Sequence, residues 1–478
     1  MTDRPFTAVQ APRIPAQLEP NAINVAQDTV IGMASSAPAA TLAISLAALV
    51  AATAYASLPV LLITAIPMLI IAYSYHRLNL WQANCGASFE WVGRAINPYL
   101  GFMTGWLMIM AYVIGGVGGA EIIGPSVLAI FNSSGGSWTY VGIATGITLV
   151  MLTIAVVGIK ISARMQVSMA AIEYTILVGI AIWGLVAVLH HHAGTYPVTR
   201  QWFNLSGVGG KASLASGLLV AVFIYSGWEG TLYVNEETKH RRVNPGRAAI
   251  YAVVLLTVIY GLVYLGLQGV VSPAKLQANS ATGLVYVAQA LGGSAWAKVM
   301  ALSLALSVIA LMGTTILLTA RIVYGMASHR VLPPFLGSVS RRFSTPVAAS
   351  LLVGAVVIGL VWLYLLTSSV QSAFDAVVDV SGLLFAAFYV LTPLATVAYY
   401  RRRIMSNVWD AVLLGVLPLG AAGFLVWIIY RSIQLAPASQ NWALVGITAV
   451  GLALMLAARF ILRSAYFQIP RESAAKEG

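Results

Sequence analysis

Charge is what this sequence lacks most. Only 8% of its 478 residues are Asp, Glu, Lys or Arg, against about 25% in a typical soluble protein. So few charges cannot cover a water-exposed surface of this size, and a string of soluble domains is excluded. Acids are scarcer still, 14 against 26 Lys plus Arg. Cysteine occurs once, as Cys85, so no disulfide forms within the chain and a cysteine-based metal site is excluded. No Walker-type Gly-Lys-Ser/Thr loop occurs, which argues against a nucleotide-driven pump. The apolar runs hold neither a nucleophile with a base nor a metal cluster. An enzyme is therefore not expected, nor is a cofactor or a metal.

What the sequence has instead is apolar length. Hydrophobic residues make up 59% of it, and the mean hydropathy is +0.87. They come in runs close to the roughly 20 residues a helix needs to cross a bilayer. The runs predict twelve helices, at roughly 28–50, 58–76, 99–130, 138–158, 166–189, 213–235, 248–271, 295–328, 347–367, 373–399, 408–430 and 442–464. Barrel strands would alternate apolar and polar residues over about ten positions, and these runs do not. The expected class is an all-α, multi-pass membrane protein with the lipid bilayer as its solvent. Residues 1–27 are polar and proline-containing, without the apolar core of a signal peptide, and are expected to form a disordered tail.

An even number of spans puts both ends of the chain on one side. Assigning that side to the cytoplasm places 21 of the 26 basic residues there and 5 opposite. This asymmetry predicts cytoplasmic termini in a cell inner (plasma) membrane. It also accounts for the formal net charge of +12 without a nucleic-acid partner.

Two of the predicted helices carry interruptions. Span 1 reads Ser35-Ser36-Ala37-Pro38-Ala39-Ala40, where Pro38 removes a backbone donor and disfavours helix at Ala37. Span 6 reads Tyr225-Ser226-Gly227-Trp228-Glu229-Gly230, two glycines flanking a tryptophan and a carboxylate. Unsatisfied backbone inside a bilayer persists only where protein or a cavity satisfies it. Matching interruptions in two halves are a sequence pointer to a transporter binding site. Spans 1 and 6 each open a block of five, and five is odd, so the second block enters the membrane inverted.

The stretch Phe223 to Arg247 (FIYSGWEGTLYVNEETKHRRVNPGR) resembles the sixth helix and following loop of the amino acid–polyamine–organocation permeases. The matching positions are Tyr225, Gly227-Trp228-Glu229, Glu236-Glu237 and Asn244-Pro245-Gly246-Arg247. Gly86 to Arg94 with Gly101 to Trp106, Thr319 to Pro333 with Thr345-Pro346, and Tyr399 to Arg403 resemble further stretches of the same family. The resemblance covers about 20–465. It implies a LeuT-type fold of ten core helices in two inverted repeats, plus two. The units would be 28–190 (helices 1–5), an external loop 191–212, 213–399 (helices 6–10), helices 11 and 12 over 400–465, and a cytoplasmic tail 466–478. It also implies uptake of an amino acid or amine, often with protons.

The sequence departs from that family twice. Ser36-Ala37-Pro38-Ala39 stands where the family has a Gly-x-Gly loop whose amides hold a substrate carboxylate. Pro38 can open a second half-helix, leaving the amides of Ala39, Ala40 and Thr41 to face an anion. Glu173 stands where some proton-coupled members carry a lysine, so a carboxylate would do the proton work.

The expected substrate site is therefore Ser35, Ser36, Ala37, Ala39 and Ala40 with Tyr225, Ser226, Gly227, Trp228 and Glu229. Glu173 is the expected proton-coupling residue, Thr314 and Thr315 an ion-site region, and Asp375 and Asp379 an external gate. Glu121 is a further acid within a span, and such residues are functional candidates by default. Each has a structural alternative: Glu229 bonding freed amides, Trp228 packing in the core, the threonines bonding back to their own helix. Glu236, Glu237, Arg241, Arg242, Arg321 and Arg330 are expected in a cytoplasmic gate. The leading function is a secondary active transporter importing an amino acid or related amine with H⁺ by alternating access. An amine or polyamine transporter, an exchanger, a channel and a transporter-like nutrient sensor stay open. Substrate identity, H⁺ against Na⁺, and oligomeric state are open too.

Overall fold

The computed structural model describes residues 17–192, 194–279, 283–367 and 370–474, without the side chains of 370–379 and Leu435. Twelve helices in it are long and apolar enough to cross a membrane. Spans 1 to 6 are Val25–Thr53, Ser57–Trp81, Pro98–Ile130, Ser137–Val157, Ile159–Leu189 and Lys211–Glu237. Spans 7 to 12 are Asn244–Leu267, Gly283–Ser328, Val347–Thr367, Val380–Ile404, Val408–Gln434 and Ala438–Phe460. All twelve expected helices are present. Among the described residues the only β pairing is one parallel bridge, Ile23 to Thr238.

Helix ends follow local chemistry. Asn24 caps span 1 in a reciprocal capping box with Gln27. Asn97 accepts from the Tyr99 amide ahead of Pro98, and proline is tolerated in a first turn. Span 8 opens with a separate helical stretch from Gly283: Gly292 and Gly293 have non-helical backbone angles and divide it from the rest at the place where the expected helix begins. The disordered tail expected over 1–27 needs correction in its later part. Residues 1–16 lie outside the described residues. Leu18 and Ile23 are buried, and the Ile23 amide donates to the Glu237 carbonyl at 3.2 Å. An apolar residue flanked by backbone partners outweighs the polar composition around it.

Span 3 is the axis of the fold, with spans 8 and 10 packed along it. Span 7 packs against spans 2 and 5 and against the first half of span 1. Spans 5 and 7 approach closely at glycine: a Cβ on Gly184 would lie 2.5 Å from the Gly266 carbonyl oxygen. A side chain at Gly266 would in turn run into the backbone of Ala181. Small residues at such crossings let backbones meet inside a bilayer. Gly266→Val is expected to cost about 1–3 kcal/mol through overpacking. A melting curve in detergent checks this, and an unchanged midpoint would show that the crossing is looser than described.

Candidate functional site

The two interruptions face one another. Span 1 divides into half-helices Val25–Ser35 and Pro38–Thr53, with Ala37 between them at φ 45° and ψ 67°. Span 6 is α-helical over Lys211–Ile224, turns at Tyr225–Gly227, and continues as a 3₁₀ helix over Trp228–Glu237. Gly227 has φ 104°, a left-handed conformation, and a Cβ there would come within 2.6 Å of the Ser35 carbonyl oxygen. Only glycine meets both demands without strain.

The freed backbone groups find partners on other spans. The Ser35 hydroxyl donates to the Gly227 carbonyl. The Tyr389 hydroxyl accepts from the Gly227 amide at 3.1 Å and donates to Glu229 Oε2. The Tyr112 hydroxyl lies 2.7 Å from Glu229 Oε1 and 3.2 Å from the Gly227 oxygen. Glu229 is thus a buried hub tying span 6 to spans 3 and 10. Trp228 is fully buried, stacked on Tyr389 at 5.4 Å and met edge-on by Tyr75. Tyr225 turns the other way, against Tyr260 of span 7. The Ser226 hydroxyl bonds back to the Phe223 carbonyl at 2.7 Å.

Of the three amides at the span 1 break expected to face an anion, one meets a carboxyl group, and it belongs to the chain. Ala39 N–H donates to Glu173 Oε1 at 3.0 Å, and Ala40 N–H donates to the Ser307 hydroxyl at 3.2 Å. The Thr41 amide is taken by the Ala37 carbonyl at 2.8 Å. A carboxylate at a helix N-terminus is favoured by the dipole and the orphan amides together. Sequence reasoning named Ala39 and Glu173 separately; the structure joins them. In span 8 the hydroxyls that reach this region are Ser307 and Ser303, the latter donating to the Glu173 carbonyl at 3.2 Å. Thr314 instead bonds back to Ala310, and Thr315 packs against Gly116. Asp375 and Asp379 belong to the stretch whose side chains lie outside the described residues. Glu121 is fully buried, and neither of its oxygens has a partner among the described residues.

Sequence reasoning missed Tyr112, Tyr389 and Ser307. Each is one ordinary polar residue in an apolar run, and only tertiary contact shows which break it serves.

Beside the breaks, on the side away from the termini, lies a narrow cleft. It is bounded by the second half of span 1 and by spans 3, 6, 8 and 10. The face that bears the termini is closed. Arg321 and Glu237 form a fully buried bidentate pair, with Nη2 to Oε1 at 2.7 Å. Glu236 accepts from the Cys85 amide at 3.0 Å, and Asn79 bonds the carbonyls of Arg241 and Arg242. Arg330, expected in this network, is exposed. Glu90, on the short helix Ser88–Ala95, pairs with Arg94 and His329. Burial by itself would raise its pKa, but His329 and Arg94 together hold the carboxyl below the usual range. The Glu90–Arg94 pair therefore persists at neutral pH and is lost as pH falls through that lowered value.

Arg321→Ala leaves the buried Glu237 carboxylate uncompensated and is expected to cost about 3–5 kcal/mol. The pair Arg321→Met with Glu237→Leu should recover most of that loss in the same melting assay. An equal loss in the double variant would mean that Arg321 stabilises by packing alone.

Comparison with known proteins supports the arrangement. The profile of the family described as Amino acid permease matches residues 27–462. The chain is 21% identical to the Arginine/ornithine antiporter ArcD2 of Lactococcus lactis subsp. cremoris, over 57% of this chain and 59% of that one. It is 24% identical to the D-serine/D-alanine/glycine transporter of Escherichia coli O6:H1, over 64% of this chain and 65% of that one. The match thus spans less than two thirds of either relative. Among solved structures, MhsT in complex with L-phenylalanine superposes with a TM-score of 0.60 at 14% identity, covering 87% of this chain and 99% of that one. The manganese transporter of Eremococcus coleocola gives 0.58 at 13%, over 92% and 95%. These two likenesses establish the LeuT-type fold.

Proposed function

The chain belongs to the amino acid permease family, and on that premise we propose that it is a secondary active transporter importing an amino acid or related amine with protons. The observation that carries this reading is the meeting of two broken helices beside a cleft, with Glu173 seated on the first broken end. The inverted repeats 28–190 and 213–399 rock around this point, and helices 11 and 12 over 400–465 flank them. The basic asymmetry puts both termini in the cytoplasm. The described conformation is then open to the outside and closed within.

The Ala39 amide suggests how proton and substrate are coupled. A substrate carboxylate and the Glu173 carboxylate compete for one donor. Protonating Glu173 removes its charge, weakens its hold on Ala39 N–H and frees the half-helix end for the substrate. By linkage, substrate binding then favours proton binding in return. Ser35, Ser36, Ala37 and Ala40 with Ser226 and Gly227 frame the substrate's polar end, and the Glu229 hub keeps the span 6 break in shape. Exchange of one substrate for another is a second reading, favoured by the antiporters among the relatives.

Glu173→Gln keeps the shape and an acceptor for Ala39 while removing the titration. Wild-type protein in liposomes is expected to bind substrate more tightly as pH falls and to accumulate it down a proton gradient. The Gln variant should bind with little pH dependence and lose gradient-driven accumulation, while substrate-for-substrate counterflow survives. Full gradient-driven uptake by a well-folded Gln variant would remove Glu173 from the coupling.

A further inference from the structure

Resting on the transporter reading, we propose that the cleft receives the side chain of a neutral, apolar amino acid, and that Gly115 sets its size limit. The cleft is lined mainly by apolar surface, from Ala40, Ile44, Gly115, Ile122, Phe223 and Leu311, which suits an apolar side chain. Among the described residues its polar lining consists of Thr41 and Ser381, and none of its described lining residues is Asp, Glu, Lys, Arg or His. The Thr41 hydroxyl is committed to the Ser36 carbonyl at 2.7 Å. The nearby acids are committed too: Glu229 to two tyrosines and Glu173 to Ala39. Glu121 does not border the cleft. A guanidinium or carboxylate side chain would lose its hydration here and gain no counter-charge from the described residues.

The glycines of span 3 have different tasks. A Cβ on Gly116 would press on Thr315 at 2.5 Å, and one on Gly119 on Leu311 at 2.7 Å, so these positions serve packing. A Cβ on Gly115 meets nothing within 4 Å. Gly115 borders the cleft, so a side chain there would occupy substrate space.

The test is equilibrium binding of L-alanine, L-leucine, L-arginine and L-glutamate to the full chain in nanodiscs. Alanine and leucine should bind, and arginine and glutamate should bind at least about a hundredfold more weakly, the scale of one uncompensated buried charge. Gly115→Leu should shift the leucine-to-alanine affinity ratio by about tenfold toward alanine. Arginine or glutamate binding as tightly as leucine overturns the neutral class, and an unshifted ratio overturns the role of Gly115. Binding of none of the four overturns the neutral amino acid class, while the transporter reading stands or falls on gradient-driven uptake.

An independent observation concerns the chain after span 12, most of which lies beyond the family match at residue 462. We infer that residues 464–474 are a strap holding the terminus-bearing face closed. Ser464 donates to the His329 carbonyl at 2.7 Å, at the end of span 8. Tyr466 is buried, stacked on Phe89 at 4.5 Å, and its hydroxyl donates to the Phe89 carbonyl at 2.9 Å. Gly93 and Gly101 leave the slot for that hydroxyl; a Cβ on either would collide with it. Glu472 pairs with Arg94 at 2.8 Å, and its amide donates to the Arg94 carbonyl. The Ala474 amide donates to the Tyr399 carbonyl at 3.0 Å, on span 10. One short segment thus ties the ends of spans 8 and 10 to the helix ahead of span 3.

Cys85 provides a native reporter. It is the sole thiol, fully buried beneath this face beside Glu236, so its labelling rate reads how often the face opens. With N-ethylmaleimide on the full chain in nanodiscs, Glu472→Ala should raise the rate about two- to fivefold, as expected for one part-exposed ion pair. Tyr466→Leu should raise it about tenfold or more by emptying the slot. Unchanged rates in both variants overturn the strap. Faster labelling matched by a lower melting temperature overturns it too, since that reports general loosening.

Discussion

Everything in this molecule depends on how two interrupted helices satisfy their backbone where water is absent. An orphaned amide or carbonyl in an apolar medium is costly enough that a helix breaks there only when a partner waits. Here the partners all come from elsewhere in the chain. Gly227 is held by Ser35, Tyr112 and Tyr389, and the Ala39 and Ala40 amides by Glu173 and Ser307. The breaks therefore fix spans 3, 5, 8 and 10 relative to spans 1 and 6. Under the proposed function, the bonds that permit the breaks are those a transport cycle would exchange.

Charge accounting narrows what can be exchanged. Among the described residues, Arg321 is the one fully buried basic side chain, and Glu237 holds it in a bidentate pair. Glu229 and Glu173 are buried with no cation at hand. Glu229 has two hydroxyl donors, a neutral cage that suits a structural hub. Glu173 leans on the positive end of a half-helix, a weaker and more replaceable partner. Of the two, Glu173 is the acid whose surroundings change most when another anion or a proton arrives.

Much of this was legible in advance, and the limit has a physical reason. Span count, helix type and both breaks followed from local features: apolar runs near 20 residues, Pro38 after Ala37, and Gly227 beside Trp228. Glu173 was visible because a carboxylate in mid-span is rare. Its contact with Ala39 was not, since 134 residues separate the two. Tyr112, Tyr389 and Ser307 carry no local signature either; a tyrosine or serine in a helix looks the same whether it bonds a neighbouring break or its own turn. The burial of Ile23 escaped for the converse reason, as two apolar residues in a polar segment do not announce a tertiary partner.

Under the proposed function the two faces would be closed by different physics, and that difference would let them alternate. The cleft side depends on apolar contact, and apolar surface that opens to water loses its stabilisation in full. The opposite face is sealed by an ion pair and by polar clasps at Glu90, Arg94 and Glu472. A buried ion pair gains little net stability, because desolvating both charges offsets most of their attraction. On opening, water returns to Arg321 and Glu237, and their hydration replaces most of what the pair loses. A seal of this kind is specific in geometry yet nearly balanced in free energy. Under the proposed function, the small differential binding energy of a substrate would be enough to open it. An apolar plug of the same area would hold one face shut for good.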